Sequence, residues 1–193
     1  MVPQMLQAVV MAGQAGTALP RSLRYLAVGG APVAGRLLDN ARALGLPVYE
    51  GYGLSECGSV VAVNRPGTSR AGSVGKPLPH VRISFAGDGE ILIRGTPWHG
   101  YLGEGGYPHA LDFIATGDLG YLDADGFLFL TGRKKNLFIT SFGRNVAPEW
   151  VEGELVAHPG IAQAAIFGEA RPFNCAVIVP QAQLRESKNL ADL

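Results

Sequence analysis

The apolar positions change rhythm twice along the chain. Leu6, Val9, Val10 and Ala12 recur at helical spacing, so Val2 to Ala12 predicts a helix with Pro3 in its first turn and Gly13 and Gly16 at its end. Arg24 to Val28 is a short apolar run of strand type. Leu37, Leu38, Ala41 and Leu44 share one face of a second predicted helix, Val33 to Leu44, with Gly45 beyond it. Pro47 to Glu50 reads as the next strand. Strand, helix and strand at this spacing predict a parallel βαβ unit. The turn Gly51-Tyr52-Gly53-Leu54-Ser55-Glu56 then falls at the carboxyl edge of its second strand, where open α/β sheets bind ligands. Ser59 to Val63 is a further strand candidate, and Asn64 to Ser73 is a Pro/Gly/Ser loop.

From Gly75 the rhythm becomes strict alternation. Val81, Ile83 and Phe85 alternate, as do Ile91 and Ile93, and Ala86-Gly87-Asp88-Gly89 between them predicts a hairpin. Thr96 to His109 is Gly-rich and irregular. A carboxylate, Asp118, stands on a Gly-flanked turn, and a strand pair turning at Asp123-Ala124-Asp125-Gly126 follows it. The basic junction Gly132-Arg133-Lys134-Lys135 leads to a strand, Leu137 to Thr140, and to a turn at Gly143 to Asn145. Helical spacing returns from Pro148 to His158, with Trp150, Val151 and Leu155 on one face. Ala162 to Gly168 and Cys175 to Pro180 predict a strand pair, and Gln181 to Leu193 is polar.

These elements predict an α/β chain in three pieces. Residues 1–74 form a partial parallel βα layer, residues 75–132 a β-rich subdomain, and residues 133–193 a small, incomplete α+β C-terminal domain. At 193 residues and 47% hydrophobic content, cores of this size are feasible. Sixteen basic and sixteen acidic side chains cancel, which argues against a nucleic-acid surface. No apolar run reaches membrane-span length, and no secretory signal stands at the N-terminus. The two cysteines, Cys57 and Cys175, have no metal-type spacing, and thiols in a reducing cytoplasm are expected.

Several residues carry chemistry beyond packing. An acid for ribose hydroxyls, Asp118, precedes an arginine suited to phosphate and sugar oxygens, Arg133, with a joint directly after. This order suits a nucleotide site at a hinge. Each residue also has an ordinary structural reading: Tyr52 as a packing aromatic, Glu56 as a carboxylate at a helix start, Asp118 as a turn residue bonding its own backbone, and Arg133 to Lys135 as a solvated charge run. Asp123 to Gly126 resembles a calcium loop only superficially, since its Gly falls two places early and no Glu follows at the required spacing. His80, His99, His109 and His158 have no acid partner at telling spacing.

Taken in order, these stretches resemble the adenylate-forming ligases, the acyl- and aryl-CoA synthetases and their luciferase and peptide-synthetase relatives. Gly29-Gly30-Ala31-Pro32 looks like the loop beside the adenine. Glu50-Gly51-Tyr52-Gly53-Leu54-Ser55-Glu56 carries the Tyr-Gly-x-Thr/Ser-Glu signature. Gly89 to Gly95, with Gly100-Tyr101, matches the Gly-Glu-Leu-x-Ile-x-Gly strand. Thr116-Gly117-Asp118 matches Thr-Gly-Asp, although Phe113-Ile114-Ala115 stands where a Trp often precedes it. Gly132 to Glu152 resembles the linker and the start of the mobile domain, spelled most like the long-chain fatty acyl-CoA synthetases.

The resemblance implies ATP or AMP, Mg²⁺ and coenzyme A as ligands, and a carboxylic acid such as a fatty acid as substrate. It implies adenosine contacts from Gly30, Ala31, Pro32, Glu50, Gly51, Tyr52, Gly53, Asp118 and Arg133. Ser55 would bond a phosphate oxygen and Glu56 would hold Mg²⁺, making Ser55, Glu56 and Arg133 the catalytic candidates. Lys135 would be the hinge, and Gly143 and Arg144 would approach the thiol acceptor. The family's phosphate loop, ending in Lys-Gly, is not found ahead of Gly29, and its C-terminal lysine is not matched by Lys188. These residues are therefore expected to be an interior segment that is inactive alone. The alternative expectation is a non-catalytic fragment, or a subunit docking with a chain that supplies the upstream half.

Overall fold

The computed structural model describes residues 1–95 and 112–181. The Gly-rich stretch Thr96 to His109, with Gly100 and Tyr101, lies outside them, as does Lys188. The chain opens with helix α1 (Pro3–Gln14), strand β1 (Leu26–Val28), helix α2 (Gly35–Ala43) and strand β2 (Val48–Tyr52). β1 and β2 pair in parallel, Leu26 opposite Val48 and Val28 opposite Glu50. Leu6 and Val10 of α1, Leu37, Leu38 and Ala41 of α2, and Leu26, Val28 and Val48 of the strands make one buried cluster. Each large side chain buried there contributes about 1.5–3 kcal/mol, which holds the expected βαβ unit together.

β2 runs two residues further than the apolar rhythm indicates. Its buried positions alternate through Val48, Glu50 and Tyr52, and a glutamate in the middle makes the apolar run look finished. Gly51 and Tyr52 therefore lie in the strand and not in a turn, paired antiparallel with Val63 and Ala62 of β3 (Ala62–Val63). Ser55–Cys57 forms a single 3-10 turn after it. A two-residue strand, β4 (Lys76–Pro77), pairs with β3 and completes a four-stranded mixed sheet in the order β1-β2-β3-β4. Gly75 precedes β4 with φ +92°, and a Cβ there would strike the Val63 and Asn64 backbone.

β5 (Arg82–Phe85), β6 (Glu90–Arg94), β7 (Ile114–Leu122) and β8 (Leu128–Arg133) form an antiparallel sheet in sequence order. Both expected hairpins are present. The amide of Ala86 donates to the Glu90 carbonyl at 2.9 Å, and that of Asp123 to the Phe127 carbonyl at 3.0 Å. Tyr52, Val61 and Ala62 share a second core with Ile91, Ile93 and Leu128. The end of β2 is thus fixed against the antiparallel sheet.

The last part holds β9 (Phe138–Ile139), β10 (Asn145–Val146), helix α3 (Pro148–Val156), β11 (Ile161–Phe167) and β12 (Cys175–Pro180). β11 and β12 pair antiparallel as expected. The face expected on α3 is only partly realised: Trp150 and Leu155 are half-buried, and Val151 is exposed. The helix meets the first layer mainly through polar contacts. Glu154 accepts from the Gly35 amide at 3.0 Å, and the Gln7 side chain donates to the Val156 carbonyl at 3.1 Å.

Candidate functional site

The carboxylate of Asp118 is aimed by a chain of small local causes. Thr116 is buried, and its hydroxyl donates to the Ile91 carbonyl at 2.9 Å and accepts from the Asp118 amide at 3.1 Å. Gly117 sits at φ +72°, a conformation that favours glycine, and its amide donates to Glu90 Oε1 at 2.9 Å. The β7–β8 register shifts between Leu119 and Gly120, and such bulges re-aim side chains. Asp118 is therefore a strand residue beside a bulge, where the flanking glycines suggested a turn.

Two partners converge on that carboxylate. The Tyr52 hydroxyl donates to Asp118 Oδ2 at 2.7 Å. Arg133, directly opposite on β8, brings Nε to 3.5 Å from Asp118 Oδ1. Burial, with the charge of Asp118 adding to it, pushes the Tyr52 phenol well above its ordinary value, so it remains a donor. The guanidinium of Arg133 is half exposed, which leaves donors for a ligand.

These groups stand at one end of a cavity of about 320 Å³. The strand end from Glu50 to Leu54 forms one wall, and the loop of Gly30, Ala31 and Pro32 forms another. A third wall comes from the linker and α3: Asn136 on the first, Glu149 and Trp150 on the second. The volume lies at the lower end of the usual range for ligand sites, about 300–1,000 Å³. Apolar side chains with a few convergent polar groups suit a flat base and a polyol.

The structure thus gathers Gly30, Ala31, Pro32, Glu50, Gly51, Tyr52, Gly53, Asp118 and Arg133 around one cavity, all of them read from the sequence. Other candidates lie outside its lining. Ser55 is exposed and Glu56 half-buried on the 3-10 turn just past Leu54. Lys135, Gly143 and Arg144 are exposed on the linker and the β9–β10 turn. Among the described residues no three His, Cys, Asp or Glu side chains cluster as a metal cage. Glu56 alone fits a hard cation only where substrate phosphates complete its shell.

Asn136, Glu149 and Trp150 were not read as site residues from the sequence, Trp150 being placed only on a helix face. Glu149 follows Pro148 in the first turn of α3, where a carboxylate has a sufficient reason in the helix dipole. Nothing in its spacing reports that it faces a cavity built from β2 and β7. A second cavity, about 350 Å³, lies beside Arg42, Tyr49, Asn64 and Arg70 and shares the Glu50 wall. Its two arginines are already engaged, Arg42 by Asp39 and Arg70 by Asp123 and Asp125. Glu50 is only 7% exposed, and burial raises its carboxyl to about 7 against a smaller opposing effect of Arg42.

Residues 1–103 match the AMP-binding enzyme family, and residues 135–192 match the AMP-binding enzyme C-terminal domain. The long-chain-fatty-acid–CoA ligase FadD15 of Mycobacterium bovis is 45% identical over 165 residues, covering 83% of this chain and 28% of that protein. The o-succinylbenzoate CoA synthetase of Bacillus subtilis, in complex with its acyl-adenylate intermediate, superposes with a TM-score of 0.78 at 30% identity, over 94% of this chain and 40% of that one. The same enzyme in complex with ATP and magnesium ion gives 0.76 at 30% identity, over 94% and 41%. The chain therefore spans between about a quarter and two fifths of the length of these relatives.

Proposed function

The chain belongs to the AMP-binding enzyme family, and from that premise we propose that it carries the adenosine half-site and lid hinge of an AMP-forming acid–thiol ligase. The observation that carries this reading is the convergence of Tyr52 and Arg133 on Asp118 at the end of a cavity walled by Gly30 to Pro32. In this reading a carboxylate attacks the α-phosphate of ATP to give an acyl-adenylate and pyrophosphate, and a thiol then displaces AMP. Tyr52 presents its ring to the base, Asp118 accepts from the ribose hydroxyls, and Arg133 donates to sugar and phosphate oxygens with a planar fork. Ser55 and Glu56 lie just past the rim at Leu54, Ser55 to donate to phosphate and Glu56 to hold Mg²⁺, which would neutralise phosphate charge. Lys135 is the hinge of the proposed lid, and the turn at Gly143 and Arg144 meets the thiol.

The acid is proposed to be a fatty acid and the thiol coenzyme A, on the strength of the 45% identity to a fatty-acid ligase. The setting is proposed to be the cytoplasm, where Cys57 and Cys175 remain thiols. Neither the Lys-Gly phosphate loop nor the C-terminal lysine is found in these 193 residues, so they are proposed to adenylate negligibly by themselves. A second reading, a subunit that docks with a chain supplying those parts, is favoured by Met5 and Met11, half exposed on the outer side of α1.

Calorimetric titration with AMP, Mg²⁺ present, tests the adenosine half-site. Saturable binding is expected from the wild-type chain and is expected to be lost in Asp118→Ala. No binding by a folded wild-type chain would overturn the proposal. Pyrophosphate release from fatty acid and ATP at the rate of a complete ligase would refute the proposed inactivity.

A further inference from the structure

Glu149 holds an acceptor that the fold leaves unused. One oxygen, Oε1, accepts from the Asn136 side chain. The other, Oε2, is buried with no hydrogen-bond partner. Leaving a buried acceptor unsatisfied is destabilising, more so for a charged group, so such an atom calls for an explanation. Glu149 lines the cavity that contains Tyr52 and Asp118, and it reaches that cavity from α3, beyond the hinge.

We propose that Glu149 Oε2 accepts a hydrogen bond from the bound nucleoside, making the lid itself part of the nucleotide site. This rests on the AMP-site reading above. The donors of an adenosine nucleotide are its 6-amino group and its ribose hydroxyls, and a carboxylate suits either. Asn136 engages Oε1, so Oε2 is the oxygen of this cavity-lining carboxylate left to a donor on the ligand. The consequence is coupling across the hinge: nucleotide joins the lid to the β2 and β7 walls, and rotation of the lid away from the site breaks one of its contacts. Glu149 is a positioning and affinity residue in this account and takes no part in bond making.

The test is titration of the wild-type chain, Glu149→Gln and Glu149→Ala with AMP, with purine riboside monophosphate (no 6-amino group), and with 2′-deoxy-AMP and 3′-deoxy-AMP. Glu149→Gln keeps an acceptor for Asn136 and can present an amide donor where Oε2 was. Loss of a hydrogen bond to a charged group predicts AMP affinity about tenfold to a hundredfold weaker in both variants. The variants should lose less, or nothing, with the one analogue that already lacks the donor read by Glu149. That analogue separates base from sugar. Far-ultraviolet circular dichroism and melting of each variant separate a lost contact from lost folding. If AMP binds Glu149→Gln as tightly as wild type, the inference is wrong while the AMP site stands. If the wild-type chain binds no AMP, the underlying reading fails as well.

Discussion

Replacing Glu50 by Gln isolates one buried charge and should raise stability only on the alkaline side. Glu50 is 7% exposed in the wall of β2, and its folded pKa stands near 7 against an ordinary 4.5. The cause is mainly burial, with Arg42 pulling the other way. A carboxylate with a raised folded pKa favours the native state fully below the unfolded pKa. That contribution fades as pH climbs from about 4.5 through about 7, because the native state must then bury a charge. A shift of some 2.5 units corresponds to about 3 kcal/mol at 1.36 kcal/mol per unit. Glutamine keeps the shape and cannot ionise. At pH 5 the wild type and Glu50→Gln should differ by less than about 1 kcal/mol. At pH 8 the variant should be more stable by up to about 3 kcal/mol, on the order of 10 °C in melting temperature for a chain of this size. Urea unfolding at pH 5, 6, 7 and 8 gives the curves directly. Parallel curves for the two proteins across that range would show that Glu50 does not titrate between the folded and unfolded states, and the burial argument would be wrong.

Arg70 donates to Asp123 at 2.5 Å and to Asp125 at 2.6 Å and lies over the Phe127 ring at 4.7 Å, so Arg70→Ala should loosen the loop before β4 from the β7–β8 turn. The arginine is 41% exposed, so the expected effect is a small fall in the denaturant midpoint, smaller still in high salt. Gly75→Ala meets the Val63 and Asn64 backbone from a positive φ and should cost about 3 kcal/mol or more, seen as loss of soluble, cooperatively melting protein. Lys134 bridges Asp88 at 2.5 Å and Glu90 at 2.9 Å immediately before the proposed hinge. Lys134→Ala should leave the core melt nearly unchanged while speeding limited proteolysis between residues 134 and 147. An unchanged cleavage rate would show that these ion pairs do not restrain the linker.

Much of this fold was legible because its periodicities are clean. Leu37, Leu38 and Ala41 announced α2, and the turns after Phe85 and Leu122 announced their hairpins. β4 was not legible, since a strand of Lys76 and Pro77 has no pattern to show and exists only because β3 supplies its partner. The end of β2 was hidden by Glu50, a charged residue at a buried strand position. On the site, short ordered motifs gave Tyr52, Asp118 and Arg133, each fixed by its neighbours in sequence. Glu149 and Trp150 join the cavity through the docking of α3, to which long-range contacts such as Gly35 to Glu154 contribute. No local signal encodes such a contact. Ser55 and Glu56 show the converse: a motif names them, while the described structure places them just outside the cavity lining.

Hydrogen–deuterium exchange with and without AMP tests the central claim most directly, because it reads where the nucleotide sits. The account predicts slower exchange in three separated stretches together: residues 50–54 at the end of β2, residues 116–119 around the bulge, and residues 132–136 at the start of the linker. Protection confined to the cavity beside Arg42 and Asn64, or binding that leaves all three stretches unchanged, would contradict it.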